Sequence, residues 1–73
     1  MPYEYLVVLF PRSRRVKVNG KLMGRTNTRL ELERGEYDIS LGPPENYTPA
    51  QQTVDLRDTA PLTPMMVEFK EAR

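Results

Sequence analysis

The sequence predicts an all-β fold, a small antiparallel β-sandwich of six to seven short strands with little or no helix. Three observations point there. Apolar and charged residues alternate at period two through most of the chain, the pattern of strands that bury one face. Turn signals built from Gly, Asn and Pro recur about every eight to twelve residues, the spacing of a sandwich or small barrel. No window places apolar residues at helical spacing between capping residues.

Tyr3 to Phe10 is rich in β-branched and aromatic residues and stops at Pro11, so it reads as a strand. Its nearly continuous apolar character suits a strand covered on both faces or one at an end of the sandwich. Residues 14 to 18 alternate, with Val16 and Val18 facing one way and Arg15 and Lys17 the other. Asn19-Gly20 follows at once, and both residues tolerate the positive φ of a type I′ hairpin turn. Lys21 to Arg25 is the returning strand, with Gly24 marking a bulge or a close approach. Leu30 and Leu32 then alternate with Arg29, Glu31 and Glu33. After Arg34-Gly35, Tyr37, Ile39 and Leu41 alternate with Glu36, Asp38 and Ser40. That double alternation about a glycine predicts a half-buried antiparallel hairpin. Residues 42 to 49 form a Pro-rich loop whose Tyr47 folds back over the core edge. Residues 51 to 57 make a strand with Val54 and Leu56 inward. Met65 to Lys70 makes the last, with Met65, Val67 and Phe69 on one side. The prolines lie between strands, and none interrupts a central one.

A chain of 73 residues has room for one domain, residues 1–73. Domains of that size bury only about 60% of the surface exposed by the unfolded chain. The chain has no Cys and no His, so neither a disulfide nor an ordinary zinc site reinforces the core. No cofactor is expected. The longest apolar run, Leu6 to Phe10, is far shorter than the roughly 20 residues of a membrane span and is wrongly flanked for a signal peptide. If Met1 is the native start, the expectation is a cytoplasmic protein.

The stretch Arg15-Val16-Lys17-Val18-Asn19-Gly20-Lys21, then Gly24-Arg25-Thr26, Leu30-Glu31-Leu32 and Gly35-Glu36-Tyr37-Asp38-Ile39-Ser40-Leu41, resembles a PEGA domain over about residues 11 to 70. Tyr47 stands at that family's late aromatic, and Val54-Asp55-Leu56 at its penultimate strand. The tetrapeptide that names the family falls at Pro11-Arg12-Ser13-Arg14, where only the proline is kept. The family's Thr-Pro step reads Thr26-Asn27, and Asn46 replaces the glycine before the aromatic. The resemblance implies a prealbumin-like β-sandwich, used as an interaction or spacer module in surface and envelope proteins.

Catalysis has little to work with. Without His or Cys the commonest general base and the thiol nucleophile are missing, and Ser13 and Ser40 have no base partner in view. Glu31/Glu33 and Glu36/Asp38 are pairs on outer faces. Across the Arg34-Gly35 turn they could approach one another as a weak cation site, although a solvated face beside Arg29 and Arg34 accounts for them. Basic charge is the sharper feature. Eight of the eleven Lys and Arg residues lie between Arg12 and Arg34, against Glu31 and Glu33 alone, which leaves +6 in that window. Such asymmetry marks an anionic partner or a solubilising, edge-protecting face. Arg12, Arg14 and Lys21 are expected to cluster near the first hairpin, with Arg15 and Lys17 on its outer face and Arg25 completing the set. Tyr3, Tyr5, Met23, Met65 and Met66 are more apolar surface than so small a core needs. They pack under loops or form a dimer or partner interface on the first or last strand.

The expected function is a non-enzymatic interaction or accessory module. It contacts another protein through an edge strand or through the basic hairpin, and a homo-oligomer is compatible with either. The alternative is an anion or nucleic-acid binder using Arg12, Arg14, Arg15, Lys17, Lys21 and Arg25 within the basic window of residues 12–29.

Overall fold

The alternating segments form nine strands in a computed structural model that describes residues 3–72. They are β1 (Tyr3–Leu9), β2 (Arg15–Val18), β3 (Lys21–Arg25), β4 (Arg29–Glu33), β5 (Gly35–Leu41), β6 (Tyr47–Thr48), β7 (Gln52–Leu56), β8 (Met65–Glu68) and β9 (Lys70–Glu71). Seven match the expected strands, and β6 and β9 are two-residue additions that pair with each other. Met1, on which the localisation expectation rests, lies outside the described residues.

Two layers enclose the core. One is a three-stranded sheet in the order β4-β1-β8, the other a four-stranded sheet in the order β3-β2-β5-β7. Leu6, Val8 and Phe10 face Val16, Val18, Ile39, Leu41 and Leu56, and Val67 and Phe69 complete the buried set. From Val16 onward these are the inward positions that the alternation marks, because a period-two strand presents every second side chain to one face. Leu6, Val8 and Phe10 come from the nearly continuous apolar run, in which no face is marked. Full burial of each such side chain contributes about 1.5–3 kcal/mol. Leu30, Leu32, Tyr37, Tyr47, Val54 and Met65 pack around the rim, half-buried.

Three expectations are corrected. First, β4 and β5 are not a hairpin. β4 pairs with β1, β5 pairs with β2 and β7, and Arg34 alone joins them across the two layers. One residue is too short for a two-residue turn of the primed type, and Gly35 lacks the positive φ such a turn needs. Alternation survives on both sides because each strand buries one face in its own sheet. The carboxylate pairs consequently sit on opposite outer faces, Glu31/Glu33 on one sheet and Glu36/Asp38 on the other. Second, the sandwich is not wholly antiparallel: β1 and β8 run parallel, from Leu6↔Met65 to Leu9↔Glu68. Third, β1 is not covered on both faces: Tyr3 and Tyr5 face outward on it, and Glu4 takes an inward, buried position. β1 is also paired along both sides, so it has no free edge for a partner.

Candidate interaction surface

The first hairpin is built by its turn and its bulge. Asn19 and Gly20 take φ values of 52° and 84°, the left-handed pair that a type I′ reversal requires. The Asn19 backbone N–H donates to the Asp38 carbonyl, and its side-chain oxygen accepts from the Asp38 N–H, each at 2.9 Å, which locks the turn to β5. Past the turn the register shifts: Lys17 faces Leu22 but Val16 faces Gly24, so Met23 is an extra residue. A one-residue shift reverses which face the side chains occupy. The bulge thereby turns Gly24 inward, where an added Cβ would overlap a methyl of Leu30. It also turns Arg25 outward, directly opposite Arg15.

Arg15, Lys17, Leu22 and Arg25 therefore share the outer face of the four-stranded sheet. Beside them lies a shallow pocket of about 380 Å³, lined by Ser13, Arg14, Arg15, Leu22, Arg25, Gly42 and Pro43. The Arg25 Nε donates to Ser13 Oγ at 3.0 Å. Among the described residues, no carboxylate lies within ion-pairing distance of Arg15, Lys17 or Arg25. Like charges directly opposite on neighbouring strands destabilise a sheet. Leu22 adds an apolar side chain that is 49% exposed. On the same face, β5 and β7 carry Glu36, Asp38 and Asp55, so the sheet is basic along one side and acidic along the other.

The other predicted residues go elsewhere. Arg14 is taken up in structure: its guanidinium donates to the Gly42 carbonyl at 2.7 Å, to Asn46 Oδ1 at 2.8 Å and to the Pro44 carbonyl. It also lies 5.3 Å from the Phe10 ring centroid and 5.8 Å from that of Tyr47. Arg12 pairs with Glu71 at 3.1 Å. Lys21 follows the turn on Val18's side of the hairpin and lines a groove between the layers, with Met23, Leu32 and Tyr37. Arg12, Arg14 and Lys21 are thus not a cluster, because Lys21 lies at the turn end of the hairpin and the two arginines at its open end. Leu22 and Pro43 were not singled out from the sequence, and Ser13 was considered there only as a nucleophile. A plain two-residue hairpin would have left Gly24 opposite Arg15, and only the glycine hinted at the bulge.

Fold and surface together define a small β-sandwich module with one cationic, partly apolar patch. A family model for the PEGA domain matches residues 7–71, nearly the whole described chain, and the protein belongs to that family of small accessory modules. Neither the curated proteins nor the solved structures yield a match.

Proposed function

We propose that this domain is a non-enzymatic accessory module that docks an acidic segment of a partner protein on the outer face of its first hairpin. The observation that carries the reading is Arg15 opposite Arg25 with no counter-ion among the described residues, beside exposed Leu22. A carboxylate placed between the two guanidinium forks would relieve their repulsion and accept paired hydrogen bonds. Leu22 and Pro43 supply an apolar neighbour for such a segment. Absence of His and Cys, with the carboxylate pairs on opposite faces, supports a binding role over a catalytic one.

The test is titration of the domain with polyglutamate and with single-stranded DNA of matched charge, at low and high salt. Polyglutamate is expected to bind more tightly than DNA, since aromatic side chains on which bases could stack are missing from this patch. Binding is expected to weaken steeply with salt, and by about tenfold or more in Arg15→Glu/Arg25→Glu. Arg25→Glu alone is expected to raise the stability of the free domain by about 0.5 kcal/mol, because it replaces a like-charge cross-strand pair by an opposite one. Polyglutamate binding that is absent, or unchanged by the charge reversal, would refute the reading. Tighter DNA binding would favour a nucleic-acid partner instead.

A further inference from the structure

Sheet edges carry unpaired N–H and C=O groups, and proteins usually guard them. Of the four outer edges of the two layers, three are bulged or bridged. β3 is bulged at Met23 and carries Lys21 and Arg25. The edges of β7 and β8 are bridged by Gln52, whose Nε2 donates to the Glu68 carbonyl at 2.7 Å. β4 has neither bulge nor proline and keeps a continuous register with β1 from Tyr3↔Glu33 to Val7↔Arg29.

The neighbouring bonds give the direction of each backbone group on β4. In an antiparallel pair, the N–H and C=O of one residue point to the same side. The Val8 carbonyl accepts from the Asn27 N–H on the β4 side, whereas the Tyr5 N–H donates to Thr59 Oγ1 and the Leu9 carbonyl accepts from the Phe69 N–H on the other. Glu4 and Leu6 therefore bond toward β4, and their partners Leu32 and Leu30 bond back. Arg29, Glu31 and Glu33 turn their backbone groups outward. The Glu33 carbonyl accepts from the Tyr37 hydroxyl at 2.6 Å. Among the described residues, the backbone groups of Arg29 and Glu31 have no partner on that side.

We infer that β4 pairs with β4 of a second copy, antiparallel about a two-fold axis through Leu30. This register sets Arg29 against Glu31 of the second copy, Glu31 against its Arg29, and Leu30 against Leu30. It satisfies the free groups of Arg29 and Glu31 in both chains and forms two opposite-charge cross-strand pairs. Centring on Glu31 instead would oppose two glutamates and call on the carbonyl that Tyr37 already occupies. The charged side chains are held in place beforehand: Arg29 lies 5.4 Å from the Tyr5 ring centroid and donates to the Pro61 carbonyl at 2.9 Å. Glu31 accepts from the Tyr5 hydroxyl at 3.3 Å. Met23, 51% exposed, lines the groove beside this edge with Leu32 and adds apolar area to the contact. The two three-stranded sheets become one sheet of six. A contact of this size gives a weak, concentration-dependent dimer.

Sedimentation from micromolar to millimolar protein tests it, with folding of each variant checked by thermal melting. Wild type is expected to dimerise toward the upper end. Glu31→Arg is expected to weaken the dimer by about tenfold or more, and the swap Arg29→Glu/Glu31→Arg to restore it. In wild type alone, amide exchange at Arg29 and Glu31 is expected to slow as concentration rises. A monomer throughout, an undiminished Glu31→Arg dimer, a swap that does not restore pairing, or exchange independent of concentration would each overturn the inference.

Discussion

Glu4 shares the inward parity of β1 with Leu6 and Val8, and only 4% of it is exposed. Its Oε1 accepts from the Thr59 hydroxyl at 2.6 Å and from the Thr59 N–H at 2.9 Å, while Arg34 Nε lies 3.7 Å from Oε2. The hydrogen bonds from Thr59, with a smaller contribution from the Arg34 charge, hold the carboxyl below the ordinary glutamate range, and burial opposes them only in part. A folded-state value below the unfolded one means that the stabilisation is present above the unfolded pKa and lost as pH falls through the folded one. Glu4→Gln is expected to be less stable than wild type at neutral pH. The difference in urea midpoint should narrow as pH falls below the ordinary glutamate range. A gap that stays constant with pH would count against the ionised carboxylate as its source. Neither its parity nor its partners were legible in the sequence. The nearly continuous apolar run from Tyr3 to Phe10 does not mark which alternate positions face inward, and Thr59 belongs to a Pro-rich connection whose course no periodicity records.

At the level of elements, the Asn19-Gly20 hairpin and the Leu30–Leu41 segment mark the limits of pattern reading. Asn-Gly names a turn geometry, and the structure has it. Alternation on both sides of Gly35 says that two strands each bury one face, but it is silent on whether they share a sheet. Arg14 shows the same gap among the connections. Its charge reads as surface, yet it binds the loop after β5 through three acceptors and rests near Phe10 and near Tyr47, whose ring packs edge to face with Phe69 at 5.6 Å. Arg14→Ala is expected to cost about 2 kcal/mol in urea unfolding and to speed amide exchange across residues 42–48. Arg14→Lys is expected to recover little of that loss, because an ammonium cannot reproduce the planar fork that reaches several acceptors. Recovery of wild-type stability by lysine would reduce the role of Arg14 to its charge.

For the whole molecule, composition and alternation made the two-layer core and the basic window legible, including the inward set from Val16 to Phe69. The order of strands was not, since side-chain periodicity carries no chain direction and β1 and β8 are separated by most of the sequence. Their parallel pairing has a mechanical consequence. Tyr3 begins β1 at one end of the sandwich, and β8 runs alongside it and leaves toward the other, so tension between the two chain ends pulls β1 and β8 past each other lengthwise. Every hydrogen bond from Leu6↔Met65 to Leu9↔Glu68 is then loaded together rather than one after another. The domain is expected to unfold at higher force in single-molecule stretching through its two ends than through the start of β1 and the Asn19-Gly20 turn, which would pry the layers apart. Equal forces in the two geometries would mean that the β1–β8 pair does not bear the load. A module of this kind can carry tension along a chain as well as hold a place in it.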